Sequence, residues 1–176
     1  IIFFIIKKSD NKKKLNIYVS CDKSFFMYVS ILAILLTNNV WIPLSKSLPQ
    51  NRIREILKSV SPDMFFFDGK DNVKLFKKYT KKIFSFNQIK QNNFSGSQTS
   101  IKKLINHISF DQTAFIYFTS GSTGTSKGIM VSHINIISDV FAQKKHLYDF
   151  TFIKKEKKLV FGDYYDTAFS IFFDIF

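Results

Sequence analysis

Hydrophobic and polar positions along this chain fall into short, regularly punctuated blocks. The apolar run IIFFII, Ile1 to Ile6, reads as a buried strand, the polar stretch Lys7 to Lys14 as a turn, and LNIYVS, Leu15 to Ser20, as a strand with β-branched residues, so a strand pair is expected. Asp22 and Ser24 are placed to cap a helix from about Lys23 to Leu36, dense enough in apolar residues to be mostly buried, and Thr37-Asn38-Asn39 ends it. VWIPL, Val40 to Leu44, reads as a short buried strand. Pro49 then sits at the first turn of an amphipathic helix, PQNRIREILKSV, and Pro62 blocks its continuation. MFFFD, Met64 to Asp68, is the next strand. Strand and helix alternate as expected of a parallel sheet flanked by helices, which sets the class as α/β.

Beyond Asp68 the pattern loosens. Between Lys70 and Lys103 nine lysines face one acid, Asp71, and a cluster of Asn, Ser and Gln runs from Gln91 to Ser100. A short strand, KIFSF (Lys82 to Phe86), interrupts a stretch that otherwise reads as a solvated lysine face followed by a linker. The expected organisation is one partial domain over residues 1–176: an α/β unit over about 1–90, a polar linker over 91–112, and a hairpin with a following helix or strand over 113–176.

Composition narrows the function classes. With 176 residues, 45% hydrophobic and 22 of them Phe, the chain is globular rather than disordered or collagen-like. Its single cysteine, Cys21, excludes an internal disulfide framework and reads as a small buried hydrophobe; His107, His133 and His146 close no metal-binding template, so no metal site is expected. The net charge of +13 invites a nucleic-acid partner, but the basic residues are nearly all lysine, dispersed, with only Arg52 and Arg54 as arginines. The chain is also rich in Ile, Asn and Phe, the residues that A+T-rich codons supply, so the charge reads as background and no nucleic-acid partner is expected. No apolar run reaches the roughly 20 residues of a membrane span. A reducing, cytoplasmic setting is expected. The start at Ile1 and the finish inside the apolar run FSIFFDIF read as the ends of a piece of a longer protein.

The chemistry concentrates in FIYFTSGSTGTSKGIMVSH, Phe115 to His133. Three of the six glycines fall within eight residues here. TAFIYF (Thr113 to Phe118) and GIMVS (Gly128 to Ser132) read as strands joined by a hydroxyl- and glycine-rich turn ending in Lys127. Gly121, Gly124 and Gly128 allow positive φ and close backbone approach, so that N–H groups can turn inward as an anion nest. Thr119, Ser120, Ser122 and Thr123 add hydroxyls and Lys127 a positive charge, a set that suits the oxygens of a polyphosphate. It is not a Walker A loop, because Ser126 and Gly128 flank the lysine where that motif requires Gly and Ser or Thr.

Thr119 to Gly128, T-S-G-S-T-G-T-S-K-G, closely resembles the phosphate-binding signature of the adenylate-forming superfamily: acyl-CoA synthetases, amino-acid-activating domains and luciferase-like enzymes. Only Ser126 departs, standing where that signature carries Pro, a change expected to loosen the loop modestly. Upstream, ILAILLTNNVWIPLSKSLPQNRIREIL resembles another segment of the family, with Ala33, Pro43, Leu44, Pro49, Arg52 and Ile53 in matching places and Asn38 and Asn39 at two family glycines. Asn tolerates left-handed backbone, so that change is mild.

The resemblance implies the amino-terminal, incomplete part of an adenylate-forming large domain, from an enzyme that uses ATP and Mg²⁺ to convert a carboxylic acid into an acyl adenylate. The acyl group then passes to a thiol on CoA or a phosphopantetheine-bearing carrier protein. Thr119, Ser120, Gly121, Ser122, Thr123, Gly124 and Lys127 would hold the phosphates. The tail YYDTAFSIFFDIF resembles the segment leading into the acid pocket: ungapped, Phe169 stands where amino-acid-activating members carry an acid, which favours a fatty or other organic acid. A gap would bring Asp166 there instead and keep the amino-acid alternative. His133 either lines the acyl or nucleotide pocket or opens a helix packed at the sheet edge. No catalytic residue is expected within the segment, since the family's adenine-contacting segment, ribose-binding Asp and terminal Lys lie beyond Phe176, and the piece alone is expected to be inactive. A non-catalytic nucleotide-binding remnant is the other alternative.

Overall fold

A computed structural model of the chain describes residues 1–9, 14–20, 23–68, 73–91, 109–120 and 126–139. Two compact units divide it, Ile1–His133 and Ile134–Phe176; described residues of the second are helical over 134–139. The first unit holds a six-stranded sheet. In chain order its elements are α1 (Ile2–Lys8), β1 (Asn16–Ser20), α2 (Phe25–Leu36), β2 (Val40–Pro43), α3 (Gln50–Ser59), β3 (Met64–Phe67), α4 (Val73–Phe76), β4 (Ile83–Ser85), α5 (Phe86–Gln91), β5 (Thr113–Ser120) and β6 (Ser126–Ser132). The strand order is β4-β3-β1-β2-β5-β6, parallel throughout except for the antiparallel β5–β6 pair. The expected α/β class holds.

The central strands are apolar on both sides because both faces of the sheet are covered, as parallel sheets require. Tyr18, Val40, Ile42, Phe65 and Ile116 pack on one face beneath Ile53, Ile56 and Leu57 of α3 and Phe76 of α4. The rings of Phe65 and Phe76 stack with centroids 3.6 Å apart. On α3 these contacts come from positions i, i+3 and i+4, the apolar stripe read from the sequence. Pro49 is the N-cap of α3, one residue before the expected first turn, and the helix stops at Ser59, before Pro62.

Residues 1–6 form helix α1, not the expected strand. A six-residue apolar run carries no period that separates helix from strand. The sheet decides: β1 is paired on both edges, with β2 and with β3, so no place beside it remains. As a helix the run turns Phe4 edge-on to Phe84 and Phe66, with ring centroids at 4.8 and 6.2 Å, and leaves Lys7 and Lys8 in the last turn, where the helix dipole favours cations. Lys82 Nζ donates to the Lys8 carbonyl at 2.7 Å.

The end of α2 explains the two asparagines. Ser24 caps its start, the hydroxyl accepting from Met27 N, while Asp22 lies outside the described residues. At its end Asn38 adopts φ 57°, the left-handed conformation that a glycine would supply. Asn39 works through its side chain: Oδ1 accepts from Leu15 N at 2.8 Å and Nδ2 donates to Thr37 Oγ1 at 2.8 Å, tying the helix exit to the entry of β1.

Candidate functional site

The glycine-rich segment forms the expected hairpin. β5 runs two residues further than the sequence reading and β6 begins two residues earlier, so Thr119, Ser120, Ser126 and Lys127 belong to strands rather than to the turn. Thr119 pairs with Lys127 and Ser120 with Ser126 across the ladder. The hydroxyl- and glycine-bearing stretch between them, Gly121, Ser122, Thr123, Gly124 and Thr125, lies outside the described residues, as do Asp166, Phe169, Cys21, His107 and His146. The structure therefore places the two ends of the candidate loop, Thr119 and Lys127, side by side.

Lys127 is exposed and makes no ion pair with a described residue. A solvated ammonium beside a hydroxyl residue, at the end of a glycine-rich segment, has the donor chemistry that phosphate oxygens require. Gly128 corrects one expectation. Its backbone is not left-handed; a Cβ there would stand 3.0 Å from Phe118 Cε1 and 3.3 Å from Ile116 Cγ2, so what glycine supplies is room for these side chains of the neighbouring strand. No cluster of three or more His, Cys, Asp or Glu arranged for a metal ion occurs among the described residues, and no helix among them is long and apolar enough to cross a membrane.

His133 opens the helical stretch 133–139, and its backbone N–H donates to the Gln112 carbonyl at 3.1 Å, closing the base of the hairpin. The ring is 8% exposed, and Nε2 is buried without a hydrogen-bond partner among the described residues. Burial pushes its pKa below the ordinary imidazole value, and the Lys14 charge adds to that shift.

Two residues not singled out as site residues reach the hairpin from α3. Arg52 Nη2 donates to the Thr119 carbonyl at 2.6 Å, and Ser126 Oγ donates to Glu55 Oε2 at 3.1 Å. Arg52 was visible only as a matched position in a family-like segment; nothing in the sequence marked Glu55.

The chain matches the AMP-binding enzyme family over residues 6–174. It belongs to that family. Among curated proteins it is 32% identical over 124 residues to the nonribosomal peptide synthetase inpB of Emericella nidulans, covering 70% of this chain and 5% of that protein. To the polyketide synthase PksN of Bacillus subtilis it is 28% identical over 130 residues, 73% of this chain and 2% of that protein. The chain thus spans only a few per cent of the length of these relatives. Its fold is similar to that of ATP-bound MatB from Rhodopseudomonas palustris, with a TM-score of 0.61 at 18% identity, covering 82% of this chain and 30% of MatB.

Proposed function

We propose that the protein carrying this chain activates a carboxylic acid with ATP, and that Thr119 to Thr123, Gly124 and Lys127 hold the β- and γ-phosphates. In that reaction a carboxylate oxygen forms a bond to the α-phosphorus, the bond from that phosphorus to the bridging oxygen breaks, and pyrophosphate leaves with the electron pair. The role of this chain is positional and electrostatic: backbone and hydroxyl donors orient the triphosphate, and Lys127 offsets charge as it moves onto pyrophosphate. Mg²⁺ would arrive with the nucleotide and add to that charge offset. The observation that carries the reading is the pairing of Thr119 with Lys127, exposed and without an ion pair among the described residues, at the two ends of the glycine-rich segment.

The adenylate then passes to a thiol, of CoA or of a carrier protein. Matched without a gap, the tail sets Phe169 at the pocket position, which supports a fatty or other organic acid; a gapped match sets Asp166 there. A second reading, an α-amino acid, is supported by the likeness to a nonribosomal peptide synthetase. The test is acid-dependent exchange of labelled pyrophosphate into ATP by the full-length protein, over panels of fatty, aryl and amino acids. Lys127→Ala should lower kcat for exchange by roughly a hundredfold or more, the scale of one lost electrostatic donor in a preorganised site. Undiminished exchange in that variant would refute the role.

A further inference from the structure

The stem of the loop is bridged from outside the hairpin. The Arg52 guanidinium donates through Nη2 to the Thr119 carbonyl at 2.6 Å, while its Nη1 lies 3.4 Å from Glu55 Oε2. That same Oε2 accepts the Ser126 hydroxyl at 3.1 Å. Thr119 is the penultimate residue of β5 and Ser126 the first of β6, so the chain of contacts crosses both strands where they approach residues 121–125.

β6 gains from such a tie, being an edge strand among the described residues and hydrogen-bonded there to no strand but β5. A proline at position 126 would fix φ by its own ring, whereas Ser126 has no such constraint and can gain order through its hydroxyl. Instead of merely loosening the loop, the serine engages α3. The Arg52–Glu55 pair, with side chains 19% and 51% exposed, contributes little stability as an ion pair, so its consequence is orientation. Arginine suits the place because one rigid fork can serve a carbonyl and a carboxylate at once.

We propose that Arg52 and Glu55 are positioning residues for the phosphate loop, acting on it through Thr119 and Ser126 to fix the strand ends that present Lys127. The inference rests on the phosphate-binding reading of that loop.

Its test is a double-mutant cycle on the full-length protein, read by pyrophosphate exchange at varied ATP and varied acid. Glu55→Ala and Ser126→Ala should each raise KM for ATP by about three- to tenfold, the scale of one net hydrogen bond, and the double variant should be no worse than either alone. KM for the acid and the thermal midpoint without nucleotide should stay unchanged, Glu55 being half-exposed and Ala a good helix former. Arg52→Lys, which keeps charge but not the fork, should also raise KM for ATP. Multiplying effects in the double variant, or no change in KM for ATP in the single ones, would overturn the clamp. Lys127→Ala in parallel separates the failures: exchange that survives it undoes the phosphate-loop reading itself, whereas exchange lost there with no coupling between Glu55 and Ser126 undoes only the clamp.

Discussion

Asn38 gives a stability prediction whose size follows from its geometry. Its φ of 57° is left-handed, and its Oδ1 is buried without a hydrogen-bond partner among the described residues. Asn38→Gly removes the unpaired acceptor, a gain of about 1 kcal/mol. It also relieves the left-handed strain, a gain of up to about 1 kcal/mol given that Asn tolerates this region better than most residues. Against these, glycine loosens the unfolded chain at a cost of about 0.4–1 kcal/mol. The net is about 1 kcal/mol of added stability, which for a chain of this size raises Tm by about 2–4 °C. Urea unfolding of the protein, followed by tryptophan fluorescence from buried Trp41, should show the midpoint moving up by about 0.5 M for a slope near 2 kcal/mol/M. Asn38→Ala, still strained, should fall below the glycine variant by about 1–2 kcal/mol. A glycine variant less stable than the parent, or an alanine variant as stable as the glycine variant, would contradict this.

Asn39 should behave oppositely: Asn39→Gly deletes the acceptor for the buried Leu15 N–H and is expected to cost about 2 kcal/mol by the same urea assay. His133 sets a pH dependence. Its folded pKa lies below the ordinary 6.5, so the unfolded state takes up the proton first; stability is full above about pH 7 and falls as pH drops through the unfolded value toward the folded one. Unfolding midpoints between about pH 5 and 8 should therefore fall less steeply for His133→Gln than for the parent, and equal slopes would contradict this.

What the sequence disclosed depended on how far apart the deciding contacts lie. Strands β1, β2 and β3 and helices α2 and α3 are written in local apolar blocks with their caps and prolines, and the hairpin in a glycine cluster, so all were legible. The strand assigned to residues 1–6 failed because the deciding fact, two occupied edges of β1, involves β2 and β3 well downstream. Arg52 and Glu55 looked like ordinary charges on the polar face of an amphipathic helix. Their partners lie 67 and 71 residues further on, beyond any local pattern. Gly128 was visible as a glycine, but its reason, room against Phe118, belongs to the strand pairing.

The central claim is that the ends of the β5–β6 hairpin hold the triphosphate of ATP. A structure of the full-length protein with ATP and Mg²⁺ tests it most directly. The β- and γ-phosphate oxygens are expected within hydrogen-bond distance of Lys127 Nζ and of backbone N–H groups between Thr119 and Gly124. Phosphates bound elsewhere, with Lys127 still directed into solvent, would contradict it.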